Sequence, residues 1–203
     1  MSSKLYCFDF DGTITHKDTL LEFIKYSKGK GKFLQAFLLH SPLLVLMKLH
    51  LYPNYKAKQK VFSYLYKGET LEEFNQQCQD FARNNLQLIR EPAKTKIRQA
   101  LSEGAQVMIV SASIDNWVKP FATILSKDQK EIKVLGTQIE VADNKLTGRF
   151  LSKNCYGAEK VARIKEQLNE SRDNYEITAF GDSRGDKEML EYADKGFFKP
   201  FRR

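Results

Sequence analysis

Acidic residues are missing from one long stretch of this 203-residue chain. From Phe23 to Gly68 there is no Asp or Glu, yet nine lysines occur: Lys25, Lys28, Lys30, Lys32, Lys48, Lys56, Lys58, Lys60 and Lys67. The rest of the chain holds 24 basic and 25 acidic residues, so the net charge of +8 belongs to one subregion. A local excess of this kind attracts anionic substrates or an anionic leaflet; nucleic acid is the less expected partner. Cysteine is scarce as well. Cys7, Cys78 and Cys155 are odd in number and lack metal-ligand spacing, which argues against a disulfide framework and a thiolate metal site. His16, His40 and His50 have no partner pattern and are assigned no role. There is no internal repeat and no low-complexity segment. Met1-Ser2-Ser3-Lys4 leads directly into a strand and leaves no room for a signal peptide, so a cytoplasmic home is expected, with the inner face of the membrane as a second address.

An uninterrupted apolar run of membrane length is also lacking. Residues 33–52 are apolar at 14 of 20 positions and would be about 30 Å long as one helix. His40, Ser41, Pro42, Lys48 and His50 interrupt them. Three readings stay open for this segment: a transmembrane helix, an interfacial segment, or the packed core of a helical bundle.

What the chain does have is Cys7-Phe8-Asp9-Phe10-Asp11-Gly12-Thr13-Ile14-Thr15. Two carboxylates one residue apart close an apolar strand, an arrangement that costs several kcal/mol unless a cation or chemistry uses it. Gly12 permits a sharp turn, and Thr13 and Thr15 place hydroxyls beside it. This suits a divalent metal and a carboxylate attacking phosphorus. Three later segments belong with it: Val107-Met108-Ile109-Val110-Ser111-Ala112-Ser113, a strand ending in hydroxyls; Gly157-Ala158-Glu159-Lys160-Val161, a lysine at a helix start; and Ile177-Thr178-Ala179-Phe180-Gly181-Asp182-Ser183-Arg184-Gly185-Asp186, a strand ending in two acids. In an open parallel sheet the carboxyl ends of the strands share one crevice, which would bring Asp9, Asp11, Ser111, Asp182 and Asp186 together.

The periodicity predicts helices after the first strand. Asp18 is an N-cap for residues 19–24, with Gly29 and Gly31 breaking that helix. Two further helical segments follow over 33–52 and 54–67. Thr70 and Glu73 form a capping box for a helix over 70–90 whose apolar face is Leu71, Phe74, Cys78, Phe81 and Leu88. From Glu91-Pro92 onward the pattern predicts a helix at 93–103, a strand at 106–110, a helix at 116–125, a strand at 132–135 and a hairpin around 141–146. A helix at 157–168, a strand at 176–180, a helix at 187–192 and a strand at 196–198 complete it. Strands alternating with helices give an α/β fold with a doubly wound, parallel, Rossmann-like sheet. Residues 1–14 and 89–203 would form the core, and 15–88 a small inserted all-helical cap resembling a four-helix bundle.

With its four motifs in order over nearly the full length, the chain resembles the haloacid dehalogenase superfamily of phosphatases. That resemblance implies hydrolysis of phosphomonoesters through an aspartyl phosphate. Asp9 would be the nucleophile. Asp11 would protonate the leaving oxygen and then activate water. Ser111 would hydrogen-bond a phosphoryl oxygen, and Lys160 would balance charge. Gly12, Thr13, Asp18, Ser111, Ala112 and Lys160 would surround phosphate and substrate. The hard oxygens of Asp9, Asp11, Asp182 and Asp186, with no His or Cys among them, suit Mg²⁺; by the resemblance, Asp11 would use its main-chain carbonyl. Asp186 could bind the metal or hold Lys160.

A helical insertion directly after the first motif is similar to subfamily IB, which includes phosphoserine phosphatase. Asp18 stands where those enzymes have a glutamate, Ala112-Ser113 replace a double glycine, and Gly185 replaces an asparagine. Ser111-Ala112-Ser113 and the segment 155–161 resemble instead a bacterial branch with phosphatidylglycerophosphatase C-type enzymes. The expected substrate is thus a small phosphorylated metabolite or a phospholipid headgroup, with peripheral contact to anionic membrane through the basic cap. Phosphoserine hydrolysis and phosphoryl transfer within the same fold are alternatives. A catalytically silent membrane- or anion-binding protein is the alternative of another class; the joint presence of Asp9, Asp11, Lys160 and Asp182 speaks against it.

Overall fold

The computed structural model describes residues 2–49, 51–127 and 131–202. Met1 and His50 lie outside the described residues. Five strands make one parallel sheet in the order β3-β2-β1-β6-β7: β1 (Ser3–Phe8), β2 (Gln106–Ile114), β3 (Lys133–Thr137), β6 (Tyr175–Gly181) and β7 (Lys195–Phe198). Alternation along these strands sorts side chains onto two faces. Leu5, Cys7, Met108, Val110, Ile177 and Ala179 join Ile164 and Met189, the buried apolar residues of α7 (Ala158–Glu166) and α8 (Lys187–Tyr192). Phe8, Val107, Ile109 and Phe180 join Ala93 and Ile97 of α5 (Glu91–Ser102) and Trp117 and Phe121 of α6 (Asp115–Ser126). A parallel sheet covered on both faces is the α/β layer architecture expected of strands that are apolar on both sides.

Four helices lie between β1 and α5: α1 (Thr19–Leu39), α2 (Ser41–Lys48), α3 (Asn54–Tyr66) and α4 (Leu71–Asn84). They share their apolar centre with the sheet's helices. Phe23 stacks on Trp117 at 5.1 Å and meets Phe74 and Phe81 edge-on, while Phe81 meets Phe121 at 5.7 Å. The hairpin of β4 (Ile139–Ala142) and β5 (Lys145–Phe150) packs on α3, where the Phe150 amide donates to Gln59 Oε1 at 2.9 Å. The turn at Gly68–Glu69 is tied to Leu146 by two backbone hydrogen bonds.

Several boundaries differ from those read in the sequence. Gly29 kinks α1 with φ of 77° without ending it, and Gly31 stays helical. Within the segment 33–52, residues 33–39 end α1 and 41–48 form α2, with a turn at His40, and among the described residues no helix is long and apolar enough to cross a membrane. Helix α4 stops at Asn84, six residues early, because the Asn84 and Asn85 side chains take the Asp80 and Phe81 carbonyls and a single turn at Leu86–Leu88 follows. Strand β2 runs four residues past Val110: after an irregularity, Ile114 pairs with Thr137.

Candidate active site

The first motif is a tight loop. Asp9 leaves β1 with its amide donating to the Phe180 carbonyl at 2.9 Å, and Gly12 turns the chain with φ of 79°. Gly12 is needed for space as well as for the turn, since a Cβ there would collide with the Asp182 carboxylate. At the end of β6, Gly181 plays the same part for Asp186, whose Cβ would lie 2.5 Å from any Cβ on Gly181.

Lys160 stands at the centre, 1 % exposed. Its Nζ donates to Asp9 Oδ1 at 2.6 Å, to Asp186 Oδ1 at 2.5 Å and to the Val110 carbonyl at 2.7 Å. Burial alone would neutralise the amine. The two carboxylates outweigh it and push the Lys160 amine above its ordinary range. The Asp9 carboxyl is raised as well: burial lifts it to about 7, opposed by Lys160 and assisted by the neighbouring acids. Burial would also raise Asp186, but Lys160 and the hydrogen bonds from Ser183 win and lower it. Asp186 Oδ2 accepts from the amides of Asp182 and Ser183 and from the Ser183 hydroxyl at 2.8–3.1 Å, which fixes the 182–186 loop.

Asp11 is held separately. Its Oδ1 accepts from the Thr19 amide at 2.7 Å and the Thr19 hydroxyl at 2.6 Å, and its Oδ2 accepts from Ser113 Oγ at 2.6 Å. Trp117 Nε1 donates to the Thr19 hydroxyl in turn, at 3.2 Å. One carboxylate thus joins β1, β2 and the start of α1. Ser111 lies at the foot of the cavity, where its Oγ accepts from the Ser113 amide at 3.0 Å.

Asp9, Asp182 and Asp186 each offer a carboxylate oxygen within 4.8 Å of the others. Three hard oxygens with excess negative charge fit a small divalent cation such as Mg²⁺. The Asp11 carboxylate lies outside that group, and Thr19 and Ser113 engage both of its oxygens. Asp186 offers an oxygen to the metal group and also holds Lys160. Arg202, from the chain's end, pairs with Asp182 Oδ2.

A cavity of about 590 Å³ opens over these groups. Asp9, Asp11, Gly12, Asp18, Ser111, Ala112, Lys160, Asp182 and Asp186 line it. Thr13 does not: it is buried beneath the loop, and its hydroxyl has no protein partner among the described residues. Asp18 caps α1 by accepting from the Leu20 and Leu21 amides, and withdrawal from water with the nearby Asp11 charge raises its carboxyl. Lys58 of α3 reaches in to donate to the Ala112 carbonyl at 2.5 Å, and withdrawal from water lowers its amine. Nothing in the sequence separates Lys58 from the lysines around it. Thr19, Ser113 and Arg202 also escaped the sequence reading, although Ser113 stands two residues after Ser111 and Thr19 directly follows the cap Asp18.

The profile of the haloacid dehalogenase-like hydrolases matches residues 7–191. This chain belongs to that family. Protein CicA of Caulobacter vibrioides is 32% identical over 202 residues, covering 98% of this chain and 86% of that protein. A protein of unknown function from Bordetella pertussis Tohama I superposes with a TM-score of 0.80 at 20% identity, over 94% of this chain and 87% of that one. A substrate-bound phosphoserine phosphatase does so with a TM-score of 0.59 at 21% identity, over 98% and 85%. The last two are likenesses of fold.

Proposed function

We propose that the protein is a Mg²⁺-dependent phosphomonoesterase working through an aspartyl phosphate on Asp9. One observation carries the reading: Lys160 joins Asp9 and Asp186 while Asp182 lies close enough to share a cation with both. Asp9 Oδ1 is occupied by Lys160, and Oδ2 makes no hydrogen bond among the described residues, so Oδ2 is the attacking atom. As it bonds to phosphorus, the ester P–O bond breaks and the leaving oxygen takes a proton from Asp11. Water then attacks phosphorus, Asp11 accepts its proton, and the bond to Asp9 breaks. Ser113 and Thr19 hold Asp11 in place through both steps; a hydroxyl can donate to the carboxylate or accept from the acid. Lys160 and the Ser111 hydroxyl stabilise charge on the phosphoryl oxygens. Mg²⁺ held by Asp9, Asp182, Asp186 and the Asp11 carbonyl would supply further neutralisation of two approaching anions.

The cavity suggests the substrate's other half. Leu20, Phe37, Leu44, Met47 and Val61 line the side supplied by α1, α2 and α3, which favours an apolar body attached to the phosphate, as in a phosphorylated lipid. A second reading rests on Asp18 and Lys58, which both line the cavity and carry the charges that would face an amine and a carboxylate, as in phosphoserine. Residues 15–88 would act as the cap that closes over either one.

Phosphate release from an aryl phosphate, with and without Mg²⁺, tests the chemistry. The wild type is expected to turn over only with the metal, and Asp9→Asn to lose activity by a factor of about 10⁴ or more. Equal rates for the two proteins would remove Asp9 as nucleophile. Comparing lysophosphatidic acid with phosphoserine separates the two substrates.

A further inference from the structure

Helix α2 buries none of its eight residues. Around it, Leu34, Leu38 and Leu39 on the second half of α1, Val45 and Leu46 on α2, and Leu49 after it are all exposed, Leu38 by 64 %. Leu51 follows at 71 %. Scattered exposed leucines need no explanation, but seven large aliphatic side chains exposed within 18 residues call for a cover. The surrounding charge says which. Lys30 and Lys32 on α1, Lys48 on α2, and Lys56 and Lys60 on the adjoining α3 are exposed, and no carboxylate occurs anywhere from residue 23 to 68. A second copy would set this exposed region against itself about a two-fold axis and bring lysines against lysines. A surface with apolar depth and negative charge matches it: an anionic bilayer.

The inner side of the same two helices is the wall of the catalytic cavity, through Phe37, Leu44 and Met47. Helix α2 is only about 12 Å long, which suits lying in the headgroup layer and is far too short to cross. We propose that the second half of α1 together with α2 is a membrane-docking hairpin whose leucines enter an anionic leaflet, so that the cavity behind it receives a lipid phosphomonoester directly from the bilayer. The docking stands on the exposed surface alone; the lipid substrate rests on the phosphomonoesterase reading above.

Sedimentation of the full chain with vesicles of phosphatidylglycerol and phosphatidylcholine, against phosphatidylcholine alone, tests it. Binding to the anionic vesicles is expected, only partly reversed by 0.5 M salt because salt screens the lysines and not the leucines (the screening length is then under about 8 Å). The double substitution Leu38→Glu with Leu46→Glu is expected to weaken binding about tenfold or more while leaving circular dichroism and aryl-phosphate turnover unchanged. Absence of binding at low salt, or undiminished binding of the double variant, would overturn the proposal. So would a wild type that elutes as a dimer, fails to bind vesicles, and becomes monomeric on the same substitution. Vesicle binding without any phosphatase activity would keep the docking face and sink the phosphomonoesterase reading instead.

Discussion

Lys160 remains charged although almost fully buried because Asp9 and Asp186 both face it. Neither carboxylate could stay ionised there alone, and removing one member of a buried ion pair costs about 3–5 kcal/mol. Lys160→Met is therefore expected to lower the unfolding free energy from urea titration by that much and to abolish turnover, through loss of one cation from the charge balance and release of Asp9 from its fixed orientation. Retention of both stability and rate in equilibrium unfolding and phosphate-release assays would contradict the placement. Gly12 works by absence: the space where a side chain would begin holds the Asp182 carboxylate.

At the scale of elements, the helices between β1 and α5 are joined to the sheet layer by aromatic rings. Phe23 contacts Tyr66, Phe74, Phe81 and Trp117, so one side chain of α1 links α3, α4 and α6. Truncating a fully buried phenylalanine leaves a cavity and costs about 3–5 kcal/mol. Phe23→Ala should destabilise by this amount in urea and also reduce turnover, because α1 begins at Thr19, the residue that holds Asp11. Loss of stability with unchanged turnover would show that α1 does not position Asp11.

For the molecule as a whole, three acids gathered from the end of β1 and the loop after β6 would link metal binding to folding. A ligand bound only by the folded state stabilises it by about 2.7 kcal/mol at a hundred times its Kd. Adding Mg²⁺ is expected to raise Tm, chelation to reverse the rise, and Asp182→Asn to remove most of it. A melting temperature indifferent to Mg²⁺ would mean that these carboxylates hold no metal.

Much of this was legible before any coordinates. Two carboxylates at the end of an apolar strand and a second acid-ended strand follow from local pattern, and with them the parallel sheet and the meeting of Asp9, Asp182 and Asp186; the place of Lys160 beside them is implied only by the family resemblance. Periodicity and capping are properties of neighbours in sequence, so the capping box at Thr70 and the hairpin at 141–146 could be read directly. The partners of those elements could not. Lys58 is one of nine similar lysines until α3 packs and directs it alone to the Ala112 carbonyl; Ser113 meets Asp11 only because β2 continues past its apolar run. The segment 33–52 is apolar in either case, but whether a leucine is core or surface depends on which helices cover it. Local chemistry is written residue by residue, whereas burial and proximity between distant segments arise only when the chain closes on itself.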